Sequence, residues 1–207
     1  MKLPLVLLTL GVLALGVSAY QPADAFTWIL EVFPAILGSA AMIATYRKFP
    51  LTNLLYSLIF VHALILMVGG HYTYAEVPLG YWMEDWFGFT RNHYDRIGHF
   101  AQGFVPAIIA RELLIRHRVV NAARSFWLGL VIVLCCLGVS AIYELIEWWT
   151  AATTGSSADA FLGTQGDVWD SQKDMFMAGI GALTAICTLS RSHDRALSSV
   201  WSSAGRS

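Results

Sequence analysis

The chain reads as all-α: a polytopic membrane bundle of about six transmembrane helices, with both termini in the cytoplasm. Three observations predict this. Of 207 residues, 57% are hydrophobic and only 13% charged, whereas soluble domains carry about 25% charged residues. Mean hydropathy is +0.58, and apolar runs long enough to cross a bilayer recur along the sequence. The basic residues then sort to alternate connections, as the positive-inside rule requires.

The first run, 3–19, follows Lys2 and ends in Val17-Ser18-Ala19. This pattern also suits a cleavable signal peptide, but the run is long for a signal core and retention is expected. Cleavage would leave five spans in the same orientation. The second span, 28–46, stops at Arg47 and Lys48, and Pro50 separates it from the third, 51–70. An outer loop follows, with Pro78, Gly80 and the aromatic cluster Tyr81-Trp82-Met83-Glu84-Asp85-Trp86-Phe87. That cluster reads as an interfacial aromatic belt. The fourth span, 97–115, is closed by the basic stretch 116–124, and the fifth occupies 125–149. A Gly-containing polar stretch, 155–166, leads to the sixth, 170–190. The whole chain, 1–207, is treated as a single membrane domain.

With the N-terminus inside, Lys2, Arg47, Lys48, Arg111, Arg116, Arg118, Arg124, Arg191, Arg195 and Arg206 fall on the cytoplasmic side. Only Arg91, Arg96 and Lys173 face out. The near-neutral net charge of -1 provides no concentrated basic face and argues against nucleic acid as a partner. Cys135, Cys136 and Cys187 lack metal or disulfide spacing and read as small apolar core residues.

The acids also lie on one side. Only Glu112 and Asp194 belong to the cytoplasmic side. Asp24, Glu31, Glu76, Glu84, Asp85, Asp95, Glu144, Glu147, Asp159, Asp167, Asp170 and Asp174 lie in outer loops or at outer helix ends. A carboxylate inside the hydrocarbon layer is costly unless paired or hydrated, so such residues mark a site or an interhelical bond. Asp95 and His99 stand at i, i+4 on one face, which Gln102, Gly103 and Pro106 continue inward. Glu144 and Glu147 share a face with Ser140, while Asp170 and Asp174 are followed by Ala178 and Gly181, small residues that admit close helix packing. Chain alternation brings these segments, and His71 after Gly69-Gly70, to one leaflet. A polar pocket near the outer interface is therefore expected.

Asp95, His99, Glu144, Glu147 and Asp174 are the candidate catalytic residues, since His and paired carboxylates are the usual agents of acid–base work. His71, Gln102, Asp170 and Lys173 are candidates for holding substrate. Asp95, His99, Glu144 and Glu147 also suit a divalent metal, although no spacing names one. Plain alternatives stand beside these readings. Asp95 suits a helix N-cap, the two Glu suit ion pairs with Arg96 or Lys173, and Asp167 suits a turn. His62 suits a hydrogen bond to a neighbouring helix, and His117 and His193 suit a solvated basic end.

The strings Gly70-His71-Tyr72-Thr73-Tyr74, HYDRIGHFAQGF from His93 to Phe104, YELIEWW from Tyr143 to Trp149 and FLGTQGDVWDSQKDM from Phe161 to Met175 resemble the YjdF family of bacterial inner-membrane proteins. The resemblance covers most of the chain from about Pro50 and implies an inner-membrane location, with no established reaction. A looser pattern of Asp-Arg-x-x-His, Glu-x-x-Glu and late Asp is similar to VanZ-like membrane proteins, some of which confer glycopeptide tolerance. Arg96 and Glu147 depart from the Lys and Gln of that pattern.

Three functions remain open. One is an enzyme acting on a lipid or envelope precursor at the outer interface; another is an ion-coupled transporter. The third is a non-catalytic scaffold or tolerance factor. Crowding of ionisable groups at one end favours the first, because a transport path should scatter them through the whole depth.

Overall fold

A computed structural model describes residues 2–120, 125–155 and 159–204, without the side chains of 125, 159, 160 and 201–204. Arg124, Arg206 and the side chain of Asp159, all used in the topology argument, lie outside the described residues. Every regular element described is helical: α1 (Leu3–Ser18), α2 (Ala25–Thr45), α3 (Asn53–Tyr72), α4 (Pro78–Phe87), α5 (Tyr94–Arg116), α6 (Ser125–Thr154), α7 (Asp159–Leu162) and α8 (Asp170–Ala204). A 3₁₀ turn, Tyr74–Glu76, precedes α4.

The boundaries have local causes. Asp24 caps α2 by accepting from the Thr27 N–H at 2.6 Å. Thr52 does the same for α3 through the Leu55 N–H. Pro78 opens α4, and Gly88, in the left-handed region at φ +69°, closes it. The α5 terminus differs from expectation. Asn92 Oδ1 accepts from the Tyr94 N–H at 3.0 Å, so Asn92 supplies the cap and Asp95 is left to face the protein interior.

Among the described residues, four helices are long and apolar enough to cross a membrane: Ala25–Thr45, Asn53–Tyr72, Phe126–Thr154 and Asp170–Val200. The six-span expectation differs at α1 and α5. At 16 residues α1 extends about 24 Å, short of a typical hydrocarbon core. α5 carries Asp95, Arg96, Arg111, Glu112 and Arg116. Yet α5 is the central helix, packed most extensively on α8 and also on α6 and α3. A helix enclosed by other helices exposes little to lipid and need not be apolar. It also runs the depth of α3: Tyr94 bonds the Ile65 carbonyl near one end, and Glu112 bonds Thr52 near the other.

Small residues bring α5 and α8 together. A Cβ on Gly103 would overlap the carbonyl of Ala178, and one on Gly181 the carbonyl of Phe100. Without a hydrophobic driving force between helices in lipid, such backbone approach is a main source of association. Leu55, Ala107, Ile108, Leu128, Ile132, Cys136, Ala182 and Ala185 form an apolar core. Of the cysteines only Cys136 belongs to it. Cys135 and Cys187 are exposed on helix surfaces, so the core reading fails for those two.

Candidate functional site

Above the apolar layer, the first turns of α5 and α8 and the last turns of α6 converge. His99 is the hub. Its Nε2 lies 3.3 Å from Asp95 Oδ1, 3.7 Å from Glu144 Oε1 and 3.8 Å from Asp174 Oδ1. Its Nδ1 lies 3.1 Å from Gln102 Oε1, a contact that holds the ring with Nε2 turned to the carboxylates. All four of these ionisable residues are at least nine-tenths buried. Glu144 Oε1 is buried with no hydrogen-bond partner.

Arg96 bonds Asp170 and Asp174 on α8 and lies 3.5 Å from Asp95 Oδ2 on its own helix. Arg96 therefore pairs with aspartates, not with Glu144 or Glu147. Arg91 reaches Asp170 Oδ1 at 2.8 Å and the Gly163 and Thr164 carbonyls. Gln165 and Asn92 exchange bonds of 2.9 and 3.0 Å, clipping the 163–169 loop to the start of α5. Lys173 is exposed and pairs with Asp167 at 2.6 Å, at the rim of the site. Asp167 also caps its own turn through the Trp169 N–H. The Lys173 hydrogen bond, helped by the Trp169 N–H, holds the Asp167 carboxyl below the usual range. Burial and the nearby Arg91 and Arg96 charges push His93 down.

A cavity of about 260 Å³ opens beside this network, between α2, α3, α5 and α6. Asp95, His99, Gln102, Glu147, Glu31, Tyr143 and Tyr74 supply its polar wall, and Ile59, Leu66, Val105, Ile109 and Val139 its apolar wall. Pro34 and Pro106 also line it. Each lacks an N–H, so the Leu30 and Gln102 carbonyls lose their usual helical donors beside the cavity. Ala35, Ile59 and Ala63 are shared with a larger apolar groove of about 650 Å³ between α1, α2 and α3.

The structure thus gathers Asp95, His99, Gln102, Glu144, Glu147, Asp170 and Asp174 at one end, with Lys173 at its edge. His71 is not brought in. Its Nδ1 bonds the Ser18 carbonyl at 3.0 Å and ties the last turn of α3 to the end of α1. Alternation of helix direction placed His71 at the right depth, but its rotational position on α3 turns it away from α5.

Several residues of the cavity were not singled out by sequence. Glu31 is the one charged residue in α2, which was the available signal. Its Oε2 accepts from the Tyr143 hydroxyl at 3.4 Å. Tyr74 fits because Gly69 and Gly98 leave room for its ring; a Cβ on either would strike it. His62 faces the cavity with Nε2 buried and unpartnered, so the expected interhelical hydrogen bond is not made.

The opposite end brings a larger correction. His193 is fully buried, not solvated, with Nε2 at 3.0 Å from Glu112 Oε2 and Nδ1 at 2.8 Å from Arg111. Glu112 also accepts from Thr52 Oγ1 at 2.9 Å and pairs with Arg116 at 2.9 Å. α8 continues as helix well past the expected end at 190, which carries His193 over the end of α5. His117 does remain outside, stacked on Phe49.

Comparisons with known proteins agree with the geometry at the level of family. Residues 3–195 match the family described as "Predicted membrane protein (DUF2238)". The chain is 52% identical over 192 residues to "Inner membrane protein YjdF" of Escherichia coli (strain K12), covering 92% of this chain and 88% of that protein. No solved structure matches it. An all-helical bundle with several membrane-length helices, matched over nearly its whole length, therefore belongs to the YjdF (DUF2238) family of bacterial inner-membrane proteins.

Proposed function

We propose that this protein is a membrane enzyme acting on an amphipathic substrate, a lipid or cell-envelope precursor, at the His99 end of the bundle, which the positive-inside rule assigns to the outer leaflet. One observation carries this reading: the 260 Å³ cavity has an acidic and imidazole wall facing an apolar one, and it borders an apolar groove. An amphipathic molecule matches both walls. Asp95 and His99 form the acid–base couple, supported by Glu144 and Asp174, and Glu147 handles a proton at the cavity surface. Gln102 orients His99, while Asp170 and Lys173 shape the rim.

Transport is less well supported. A second buried polar cluster exists around Glu112, but the Leu55–Ala107–Ile132 layer separates the two ends. A scaffold role has one observation in its favour, the Arg96 links that fasten α5 to α8.

The test is lipid mass spectrometry on wild type, His99→Gln and Glu147→Gln in nanodiscs made from host lipid. Wild type should convert at least one lipid species, and each variant should lower that conversion more than tenfold at equal protein content. Equal conversion by wild type and both variants, or none by any, would sink the enzyme reading.

A further inference from the structure

We infer that Asp95, His99, Glu144 and Asp174 form a binding site for one divalent transition cation, of the zinc or manganese class. The inference deepens the catalytic reading above by naming a cofactor for that end of the bundle, but it is read out without any substrate.

Charge balance is the first argument. Asp167 pairs with Lys173, Asp170 with Arg91 and Asp174 with Arg96. Counting each Arg and Lys once leaves Asp95 and Glu144 with only the His99 imidazole between them. A single imidazolium balances only one of these two buried carboxylates, whereas a divalent ion beside a neutral His99 matches both.

Geometry is the second. Atoms of Asp95, His99 and Asp174 lie within 4.8 Å of one another. From His99 Nε2 the three carboxylate oxygens stand at 3.3, 3.7 and 3.8 Å. An ion with tetrahedral bonds of about 2.0–2.3 Å has donor–donor edges of roughly 3.3–3.8 Å. The separations therefore admit an ion after small side-chain shifts.

The third argument is independent of the acidic cluster as such. Glu144 is 8% exposed, and its Oε1 has no hydrogen-bond partner although it points at His99. Gln102 meanwhile holds the Nδ1 side of the ring at 3.1 Å and leaves Nε2 facing the carboxylates. Metal-bound histidines are commonly oriented by such an outer hydrogen bond. Imidazole with carboxylates and no thiolate selects zinc- or manganese-like ions over softer ones. Arg96 bonds Asp174 Oδ1 and lies 3.5 Å from Asp95 Oδ2, so it offsets the charge of a third carboxylate.

The experiment uses full-length protein in detergent, stripped with chelator, then loaded separately with Zn²⁺, Mn²⁺ and Mg²⁺ and desalted. Elemental mass spectrometry should find close to one Zn²⁺ or Mn²⁺ per chain. Glu144→Gln and His99→Gln should retain at least tenfold less, whereas His117→Ala, whose ring lies outside the bundle against Phe49, should retain it. Wild type without ion, or both ligand variants loaded like wild type, overturns the site. Should the ligand variants not fold, Co²⁺-loaded wild type decides: visible bands of a tetrahedral complex support the site, and their absence overturns it. Retained metal with no lipid conversion would remove the enzymatic reading and leave the site standing.

Discussion

His193 shows how much a single residue's meaning depends on its neighbours. In the sequence it sits among Arg191, Asp194 and Arg195, a polar setting that suggests water. In the fold it lies between Glu112 and Arg111 with no exposure. Truncating it removes partners from two buried groups, and a buried group left unsatisfied costs roughly 1–3 kcal/mol. His193→Ala should therefore lower the thermal midpoint of the detergent-solubilised protein, while His117→Ala, whose ring lies outside the bundle, should change it little. At the other end, Asp167 has its carboxyl lowered by Lys173 and the Trp169 N–H. A depressed carboxyl contributes its stabilisation above the unfolded value and loses it as pH falls through the folded one. Hydrogen exchange in the 163–169 loop should thus stay slow at neutral pH and quicken only below the ordinary carboxylate range. Loosening already near neutrality would contradict that assignment.

Among the elements, α5 and α8 form the pair on which the site depends, since Asp95, Arg96 and His99 come from one, and Asp170 and Asp174 from the other. Gly103 and Gly181 set their separation. Gly103→Leu introduces a side chain where the Ala178 backbone already sits, and overpacking of this kind costs about 1–3 kcal/mol or more. The expected result is a marked fall in membrane abundance; Gly129→Leu, at a position with open space around it, should be tolerated. Quantitative immunoblotting of membrane fractions checks both. The six-crossing, N-in/C-in arrangement also belongs to this scale, because α1 and α5 are not identified as crossings by apolar length alone. In a cysteine-free background, single cysteines at exposed Trp82 and Lys173 should react with an impermeant maleimide in intact spheroplasts, and one at Arg195 should not. Reaction at Arg195 would reverse the orientation.

For the molecule as a whole, the informative feature is the apolar layer between two buried polar ends. Groups such as Leu55, Ile108 and Ile132 offer no hydrogen bond to a migrating proton or ion. Proteoliposomes carrying an internal pH dye should leak no faster than protein-free vesicles under an imposed gradient. Faster, saturable leak would restore the carrier reading.

The amino-acid sequence by itself determined the membrane-bundle class, the clustering of Asp95, His99, Glu144 and Asp174 at one end, and the family. Those depend on hydropathy, on the side preference of Lys and Arg and on helix alternation, all of which are properties of one chain segment at a time. Depth along the bundle was therefore legible. Rotation of each helix about its axis was not, because an apolar helix in lipid has little amphipathic bias to reveal its inward face. That is why His71 was expected in the pocket and lies against α1, while Glu31 and Tyr74 line the cavity unannounced and His62 faces it in place of the expected interhelical bond. The extension of α8 over α5, which buries His193, likewise depends on contacts far apart in sequence. Only the tertiary structure decided which polar groups meet, since interhelical packing of small residues, and not local pattern, sets the rotation and register at which they face one another.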